Sequence, residues 1–247
     1  MENLIYGLIG QTLKHSFSQD YFTNKFKNES IKGAEYRLFE LNSIHRFPEI
    51  ISAININGLN VTIPYKLEIM QYLDELDESA RKVGAVNVIK FAGSQLIGFN
   101  SDYYGFKKSL ILWLGNEIPK SALILGTGGA SMAVLAVLND LKISTQLVSR
   151  SKTENSITYQ ELSEFDHYLK DCKLIINTTP LGMFPNDTSF PDIPYESIGP
   201  QHLLFDLVYN PENTTFMRKG AVKGARTKNG LEMLHFQAEK SWEIWNR

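Results

Sequence analysis

Cysteine is almost absent from the 247-residue sequence, which has a single one, Cys172. One thiol cannot form an intramolecular disulfide, and this favours a reducing compartment. No segment approaches the ~20 consecutive apolar residues that a membrane-spanning helix needs. The N-terminal segment MENLIYGLIGQ also lacks the basic first region of a signal peptide, and it is predicted to form a β-strand. We therefore expect a soluble, cytoplasmic protein without a membrane partner.

Neither sign of charge is in excess, because 25 Lys and Arg residues stand against 27 Asp and Glu residues and give a formal net charge of −2. Without a basic block, nucleic acid is not expected as a partner. The five histidines show no metal-ligand spacing. No Cys–His pair and no Gly-x-Ser-x-Gly nucleophile motif is recognised either. We expect no metal and no covalent nucleophile of these types.

Strand-like and helix-like segments alternate along the chain, which is typical of an α/β protein with parallel sheets. The predicted strands are residues 4–10, 35–41, 58–63, 85–91, 95–100, 121–126, 145–149, 173–177 and 203–208. The predicted helices are residues 18–28, a short stretch around Pro48, residues 65–73, a helix from Asp102, and residues 132–139 and 231–245. Strands 85–91 and 95–100 are predicted to form a hairpin. The length and pattern predict two α/β domains with a cleft between them.

The most distinctive local motif is the glycine-rich segment Gly126-Thr127-Gly128-Gly129-Ala130-Ser131, which lies between an apolar strand and a helix. Glycines let the backbone turn tightly and approach a pyrophosphate, and the helix N-terminus offers free N–H groups. Ser131 stands where the usual fingerprint has a third Gly or Ala. The context favours a dinucleotide site, and the alternative is a tight strand–helix turn without a ligand.

The end of the next predicted strand indicates which dinucleotide. A loop that binds NAD is normally followed ~20 residues later by Asp or Glu, which accepts from the ribose 2′-hydroxyl. Here the strand ends in Ser149-Arg150-Ser151-Lys152, with two cations, two hydroxyls and no carboxylate. A guanidinium with small donors beside it suits a 2′-phosphate. We therefore predict NADP over NAD, with a solvated basic turn as the alternative.

In the stretch GLNVTIPYK a strand-like run is broken by Pro64, and Lys66 follows the break. An enzyme that reduces a ketone with a nicotinamide needs a proton donor for the ketone oxygen, and a lysine ammonium can donate. Asp102, at the end of another predicted strand, is the candidate carboxylate partner, because ligands gather at the carboxyl ends of strands in open α/β sheets. The alternatives are a solvated lysine and an aspartate that only caps the next helix.

These blocks together resemble the shikimate dehydrogenase family, NADP-dependent enzymes that interconvert 3-dehydroshikimate and shikimate. The resemblance runs nearly end to end. The similar segments on the substrate side are His15-Ser16-Phe17-Ser18, Asn60-Val61-Thr62-Ile63-Pro64-Tyr65-Lys66, Gly84-Ala85-Val86-Asn87 and Asn100-Ser101-Asp102. The resemblance implies catalysis by Lys66 and Asp102. It implies substrate binding by Ser16, Ser18, Thr62, Asn87, Tyr209 and Gln237.

The resemblance extends to the coenzyme side. Segments 126–131 and 149–151 are similar to the family's phosphate loop and 2′-phosphate turn. Segments 177–180 and 206–211 are similar to segments that line the nicotinamide side, and segment 229–231 resembles the one that carries the family's C-terminal glycine. It implies that NADP is bound by Gly126, Thr127, Gly128, Gly129, Ala130, Ser149, Arg150, Ser151, Thr179, Leu207 and Gly230. Ser149 replaces the family's asparagine, which could weaken the preference for NADP, and Tyr103 replaces a glycine beside Asp102.

The resemblance also implies that the two domains bind different ligands. Residues 1–101 with 230–247 are expected to form a substrate-binding domain, and residues 102–229 a Rossmann-type NADP-binding domain. The expected activity is the reversible NADPH-dependent reduction of 3-dehydroshikimate, on the pathway to chorismate and aromatic amino acids, by a monomer or homodimer. The alternatives are an NAD-using quinate/shikimate dehydrogenase and a non-catalytic dinucleotide- or shikimate-binding regulator. Ser16 and Gln19 also fit a helix capping box, which is compatible with substrate binding.

Overall fold

A computed structural model of the protein describes residues 3–13, 16–165 and 167–247. The chain divides into two compact units, one comprising Met1–Tyr104 with Gln237–Arg247 and the other Gly105–Phe236. Cys172 is buried as a free thiol, and burial raises the pKa of that thiol. None of the helices in the described ranges combines the length and apolarity needed to span a bilayer.

The first unit contains a mixed six-stranded sheet. Its strands are β1 (Leu4–Gly10), β2 (Ala34–Glu40), β3 (Gly58–Val61), β4 (Glu75–Leu76), β5 (Val88–Ala92) and β6 (Gln95–Phe99), in the order β2-β1-β3-β5-β6-β4. Strand β1 pairs in parallel with β2 and β3, whereas β5 is antiparallel to β3 and β6. The prediction of parallel strands therefore holds for the pairs β1–β2, β1–β3 and β4–β6, but it is wrong for β5. The predicted hairpin is confirmed, because Ala92 pairs with Gln95 around a turn where Gly93 has a φ of +63°.

Helices cover both faces of this sheet. They are α1 (Phe17–Asn28), α2 (Phe47–Ala53), α3 (Glu78–Val83) and the end of α9 (Leu231–Trp245). The first unit also includes the start of α4 (Ser101–Leu114). Successive side chains of a strand point to opposite faces, so Tyr6 and Leu8 pack with residues of α1 and α9 while Ile9 packs in a second cluster with Phe47. Burial on both faces explains why β1 is apolar at nearly every position.

The structure corrects one predicted helix of the first unit. Residues 65–73 were expected to form an α-helix, but Glu68–Tyr72 form a 3₁₀ helix. Its backbone N–H groups bond three residues back, as from Met70 to Leu67 at 3.2 Å and from Leu73 to Met70 at 3.3 Å. The chain must become extended immediately afterwards, because β4 pairs with β6. This leaves too few residues for a longer helix.

The second unit contains an entirely parallel six-stranded sheet, as expected for a Rossmann-type domain. Its strands are β7 (Ser121–Leu125), β8 (Ser144–Ser149), β9 (Ser156–Thr158), β10 (Leu174–Asn177), β11 (Leu203–Asp206) and β12 (Arg226–Lys228), in the order β12-β11-β10-β7-β8-β9. Its helices include α5 (Gly129–Asp140), α6 (Tyr159–Glu164), α7 (His167–Asp171) and α8 (Thr215–Val222). The strand order reverses at β7, which lies between β8 and β10. Ligands of doubly wound sheets bind at the carboxyl ends of the strands beside such a reversal.

Candidate active site

Lys66 and Asp102 meet in the first unit. The Lys66 ammonium nitrogen Nζ lies 2.6 Å from Oδ2 of Asp102, and the two side chains are 22% and 11% exposed. The hydrogen bond between these charged groups is short and charge-assisted. The pairing that the sequence predicted is therefore present, and partial exposure leaves the lysine accessible to a ligand.

The backbone around Lys66 is held by residues distant in sequence. Thr62 N–H donates to Ile9 at 2.8 Å, which extends the pairing of β3 with β1 past the last strand residue. The Lys66 carbonyl accepts from Val86 N–H at 2.8 Å. The Tyr65 hydroxyl is buried and donates to the carbonyl of Leu41 at 2.5 Å. These bonds fix the turn after β3 and so direct the lysine side chain from a defined backbone.

Asp102 does not cap helix α4, so the alternative role considered for it is wrong. The cap is Asn100, whose Oδ1 accepts from Tyr103 N–H at 3.1 Å and whose Nδ2 donates to the carbonyl of Ala85 at 2.9 Å. Asp102 lies in the first turn of this 14-residue helix, where the positive end of the helix dipole favours a carboxylate. Its side chain is thus available for Lys66.

A buried hydrogen-bond network lies next to this pair. Asn87 Oδ1 accepts from Ser101 N–H at 2.6 Å, and Asn87 Nδ2 donates to Ser101 Oγ at 3.1 Å. Asn60 Nδ2 donates to Ser241 Oγ at 2.9 Å, while Asn60 Oδ1 accepts from the Tyr36 hydroxyl at 2.8 Å. The sequence singled out Asn87 but not the supporting roles of Tyr36, Ser101 and Ser241. A polar residue amid buried strand positions, as at Asn60, is the signal that could have indicated the network.

The remaining predicted substrate residues are divided between the units. Ser16, Ser18, Thr62 and Gln237 are half-buried in the first unit, and Tyr209 is half-buried in the second. Ser16 precedes α1 but its side chain makes no capping bond, so the capping box with Gln19 is not formed. Ser18 hydrogen-bonds Tyr36. His15, the first residue of that segment, lies outside the described residues.

A cavity of about 410 Å³ in the second unit adjoins the glycine-rich segment. It is lined by Gly126, Thr127, Gly128, Ser149, Arg150, Tyr159, Thr178, Thr179, Pro180 and Leu181. Six predicted cofactor residues, Gly126, Thr127, Gly128, Ser149, Arg150 and Thr179, therefore share one cavity. The lining does not include Gly129, Ala130, Ser151, Leu207 or Gly230. Gly230 instead lets its own backbone approach the backbone of Leu207 closely, because a Cβ there would lie 2.2 Å from the Leu207 carbonyl oxygen.

The phosphate loop leaves space where a ligand needs it. Gly126 has a φ of +106°, and a Cβ on it would lie 2.9 Å from Thr178 Oγ1, so only glycine suits this position. In contrast, a Cβ on Gly128 or Gly129 would meet no heavy atom within 4 Å. These two glycines begin the 12-residue helix α5, whose first N–H groups can bind an anion. The loop thus presents donors to an open space that fits a phosphate.

The basic turn after β8 was expected to offer two cations and two hydroxyls to a ligand, but one cation and one hydroxyl are bound within the protein. Ser149 Oγ donates to the carbonyl of Ser151, and Lys152 forms an ion pair with Glu161. One of the two cations is thereby neutralised. Arg150 is exposed and lines the cavity, and it has no ion-pair partner among the described residues. The cavity therefore has one available guanidinium, which fits a phosphate group.

Asp206 at the end of β11 is a buried carboxylate that the sequence interpretation did not single out. It accepts from Asn177 Nδ2 at 2.9 Å, Val208 N–H at 3.0 Å and Thr214 Oγ1 at 2.6 Å. Asn177 Oδ1 in turn accepts from N–H and Oγ1 of Thr179, at 3.0 and 2.6 Å. Burial raises the pKa of Asp206 to about 6, although these donors act in the opposite direction. The carboxylate holds the segments that follow β10 and β11.

The all-parallel sheet with its reversal of strand order defines the second unit as a domain of the Rossmann type. In the first unit, residues 8–89 match the model of the "Shikimate dehydrogenase substrate binding domain". A shikimate dehydrogenase (NADP(+)) of Clostridium beijerinckii is 41% identical, covering 97% of this chain and 91% of its own. One of Methanococcus maripaludis strain C6 is 40% identical, covering 97% and 90%.

Solved structures that are similar to this chain in sequence and fold are also shikimate dehydrogenases. A chorismate mutase/shikimate 5-dehydrogenase fusion protein from Clostridium acetobutylicum is 39% identical, with a TM-score of 0.89 over 100% of this chain and 91% of that one. A shikimate dehydrogenase solved in complex with NADP+ is 32% identical, with a TM-score of 0.84 over 98% and 90%. The chain belongs to the shikimate dehydrogenase family.

Proposed function

We propose that this protein is a shikimate dehydrogenase, which reversibly reduces 3-dehydroshikimate to shikimate with NADPH on the pathway to chorismate and aromatic amino acids. The observation that carries the proposal is the ion pair of Lys66 and Asp102, with 2.6 Å between Nζ and Oδ2. A protein that only bound these ligands would not need a proton-transfer pair. The names of the relatives support the substrate and the coenzyme.

Lys66 handles the proton of the reacting oxygen. Its ammonium donates to the substrate carbonyl oxygen as that oxygen gains negative charge, and in the reverse direction the amine accepts the hydroxyl proton. Asp102 orients the ammonium and stabilises its charge. Because the Lys66 side chain is only 22% exposed, the attraction between its ammonium and the developing alkoxide is stronger than it would be at the surface. NADP(H), when bound, supplies or accepts the hydride.

The substrate has one carboxylate and several hydroxyls, and the proposed contacts are hydroxyl and amide groups of the first unit. Ser16 and Ser18 lie at the N-terminus of the 12-residue helix α1, where free N–H groups and the helix dipole favour a carboxylate. The Ser16 hydroxyl is not used for capping and is available. Thr62, Asn87 and Gln237 are assigned to the substrate hydroxyls. Tyr209 is proposed as a further contact.

The coenzyme is proposed to occupy the cavity of the second unit. The open space before Gly128 and Gly129 suits the pyrophosphate, and the Arg150 guanidinium suits a 2′-phosphate. The absence of an acidic residue at this turn favours NADP over NAD. We assign Thr127, Ala130, Ser149, Ser151, Thr179, Leu207 and Gly230 to the same site. We assign substrate binding to the unit of Met1–Tyr104 with Gln237–Arg247, which contains both Lys66 and Asp102, and NADP binding to the unit of Gly105–Phe236.

The test is the absorbance of reduced nicotinamide after the protein is mixed with NADP+ and shikimate. We expect NADPH to form, with much lower rates when quinate replaces shikimate or NAD+ replaces NADP+. Faster turnover with NAD+ and quinate would favour the quinate/shikimate alternative. No turnover with any pair, from protein that binds the ligands, would favour a regulator. The cytoplasmic location and the monomeric or homodimeric state stay predictions.

A further inference from the structure

The hydroxyl of Tyr159 has an unusual environment. This hydroxyl is buried, and it has no hydrogen-bond partner in the part of the chain that the structure describes. A buried hydroxyl normally finds a partner, because it has lost its bonds to water. Burial raises the pKa of Tyr159 to about 12, while the positive charge of Arg150 acts in the opposite direction. The hydroxyl therefore stays protonated and lies within electrostatic reach of Arg150.

The position of Tyr159 connects this hydroxyl to the coenzyme cavity. Tyr159 is the first residue of α6, directly after Thr158, whose side chain and Glu161 form a complete capping box. Its ring packs on the hydrophobic core of the second unit. Tyr159 also lines the 410 Å³ cavity together with Arg150 and the phosphate loop. The backbone of Tyr159 is thus fixed by the cap, and the residue forms part of the cavity wall.

Of the two small donors that the sequence placed beside Arg150, the Ser149 hydroxyl is already engaged. The Ser149 hydroxyl donates to the Ser151 carbonyl, and it lies 2.9 Å from Ser156 Oγ. Ser156 Oγ also lies 2.7 Å from Thr153 Oγ1. Each of these hydroxyls therefore has a partner within the turn. The tyrosine hydroxyl near the same guanidinium still has its proton to donate.

We propose that Tyr159 is a coenzyme-specificity residue whose hydroxyl donates a hydrogen bond to the 2′-phosphate of NADP(H), beside the guanidinium of Arg150. The inference rests on the proposed use of NADP. A phosphate oxygen is a strong, charge-assisted acceptor, so the bond compensates the hydroxyl for its lost hydration. Because water does not reach the hydroxyl, binding requires the side chain to shift toward the cavity that it already lines.

The test compares Tyr159→Phe with the wild-type protein in calorimetric titrations with 2′,5′-ADP, which has the 2′-phosphate, and with 5′-ADP, which lacks it. We expect the affinity for 2′,5′-ADP to fall about 10- to 100-fold, the usual effect of losing a hydrogen bond to a charged group. The affinity for 5′-ADP should change less than about twofold, since that probe makes no use of the hydroxyl. Unchanged affinity for 2′,5′-ADP, or an equal loss for both probes, would overturn the assignment.

Thermal unfolding without ligand gives an independent measurement. Tyr159→Phe removes an unpartnered buried hydroxyl, so its melting temperature should equal or exceed that of the wild type. Tyr195→Phe is the matched control, because the buried Tyr195 hydroxyl donates to the Pro191 carbonyl at 2.9 Å and lies outside the cavity lining. This variant should melt at a lower temperature and bind both probes as the wild type does. A lower melting temperature for Tyr159→Phe would show that its hydroxyl already has a structural partner, against the inference.

These titrations do not depend on turnover of shikimate. A protein that prefers 2′,5′-ADP but does not oxidise shikimate would contradict the proposed activity and leave the role of Tyr159 intact. A wild-type protein that binds both probes equally would overturn the role of Tyr159 together with the proposed use of NADP. Absence of shikimate oxidation by the wild type would thus count against the proposed activity only. Unchanged 2′-phosphate binding by Tyr159→Phe would count against the role of Tyr159 only.

Discussion

Lys66 and Asp102 are separated by 36 positions along the chain, yet Nζ of the lysine lies 2.6 Å from Oδ2 of the aspartate. Both residues are positioned through the segment Ala85-Val86, because Val86 N–H donates to the Lys66 carbonyl and Asn100, which caps the helix of Asp102, donates to the Ala85 carbonyl. The pair therefore depends on contacts between segments that are distant in the sequence. Removing either charge leaves the other partly buried without its partner, so each side chain should affect catalysis more than substrate binding.

Lys66→Ala should lower kcat by about 10²- to 10⁴-fold, because the variant has no general acid for the substrate oxygen. The KM for shikimate should change only a few-fold, since the hydroxyl and amide contacts remain. Steady-state rates followed by NADPH absorbance measure both constants. Lys90→Ala is the control, because the Lys90 ammonium donates to the Arg247 carbonyl at 2.8 Å and the substitution should leave kcat unchanged. A kcat near that of the wild type for Lys66→Ala would remove the lysine from the mechanism.

Sequence patterns predicted the buried strands and the long helices well. Strand β7 matches the predicted residues 121–126 to within one residue, and the last helix, Leu231–Trp245, matches its predicted bounds. Parallel strands covered on both faces are apolar throughout, and amphipathic helices repeat every three or four residues, so both are visible locally. The very short strands β4, β9 and β12 have two or three residues each. They are defined by their hydrogen bonds to neighbouring strands, which a local sequence pattern does not reveal.

The details around the site required contacts between distant residues. The sequence analysis considered Asp102 as the cap of helix α4 and did not consider Asn100, although both residue types are good caps. Asn100 is the cap because its amide also donates to the Ala85 carbonyl, and a carboxylate has no donor for that bond. Likewise the bond between Asn60 and Ser241 joins residues 181 positions apart, which no local pattern reveals.

Asn60→Ala should lower the free energy of unfolding by about 2–4 kcal/mol, because the buried Tyr36 and Ser241 hydroxyls both lose their Asn60 partner. The affinity for 2′,5′-ADP should not change, since Asn60 belongs to the first unit. Urea denaturation and calorimetric titration measure the two quantities. Asn28→Ala, at the exposed end of α1, is the control and should change stability by less than about 0.5 kcal/mol. Equal stability of the two variants would contradict a stabilising role for the network.

Asp206 should make stability depend on pH in a defined direction. Its pKa rises from 3.8 to about 6 because of burial, so between these values the folded chain holds a proton that the unfolded chain has released. The free energy of unfolding therefore falls as pH rises through this window, by about 3 kcal/mol for this shift. Asp206→Asn has no titrating carboxyl at this position, so its free energy of unfolding lacks this pH dependence. Denaturation curves from pH 4 to 7 should show the wild type losing stability relative to Asp206→Asn. Parallel stability profiles would show that the carboxyl pKa is not raised.

Arg150 and Lys152 are neighbouring cations with different expected roles in coenzyme selection. Arg150 lines the cavity, whereas Lys152 forms an ion pair with Glu161 on the exposed surface. Arg150→Ala should raise the KM for NADP+ by about 100-fold, because it loses charge-assisted bonds to the 2′-phosphate, and it should change the KM for NAD+ little. Lys152→Ala removes the same charge two residues away and should keep the ratio of the two KM values within about threefold of the wild type, because an exposed ion pair contributes little. Steady-state kinetics with each coenzyme at fixed shikimate provide the six KM values of the wild type and the two variants. If Lys152→Ala lost the preference for NADP+ and Arg150→Ala retained it, the 2′-phosphate would have to bind on the other side of the turn.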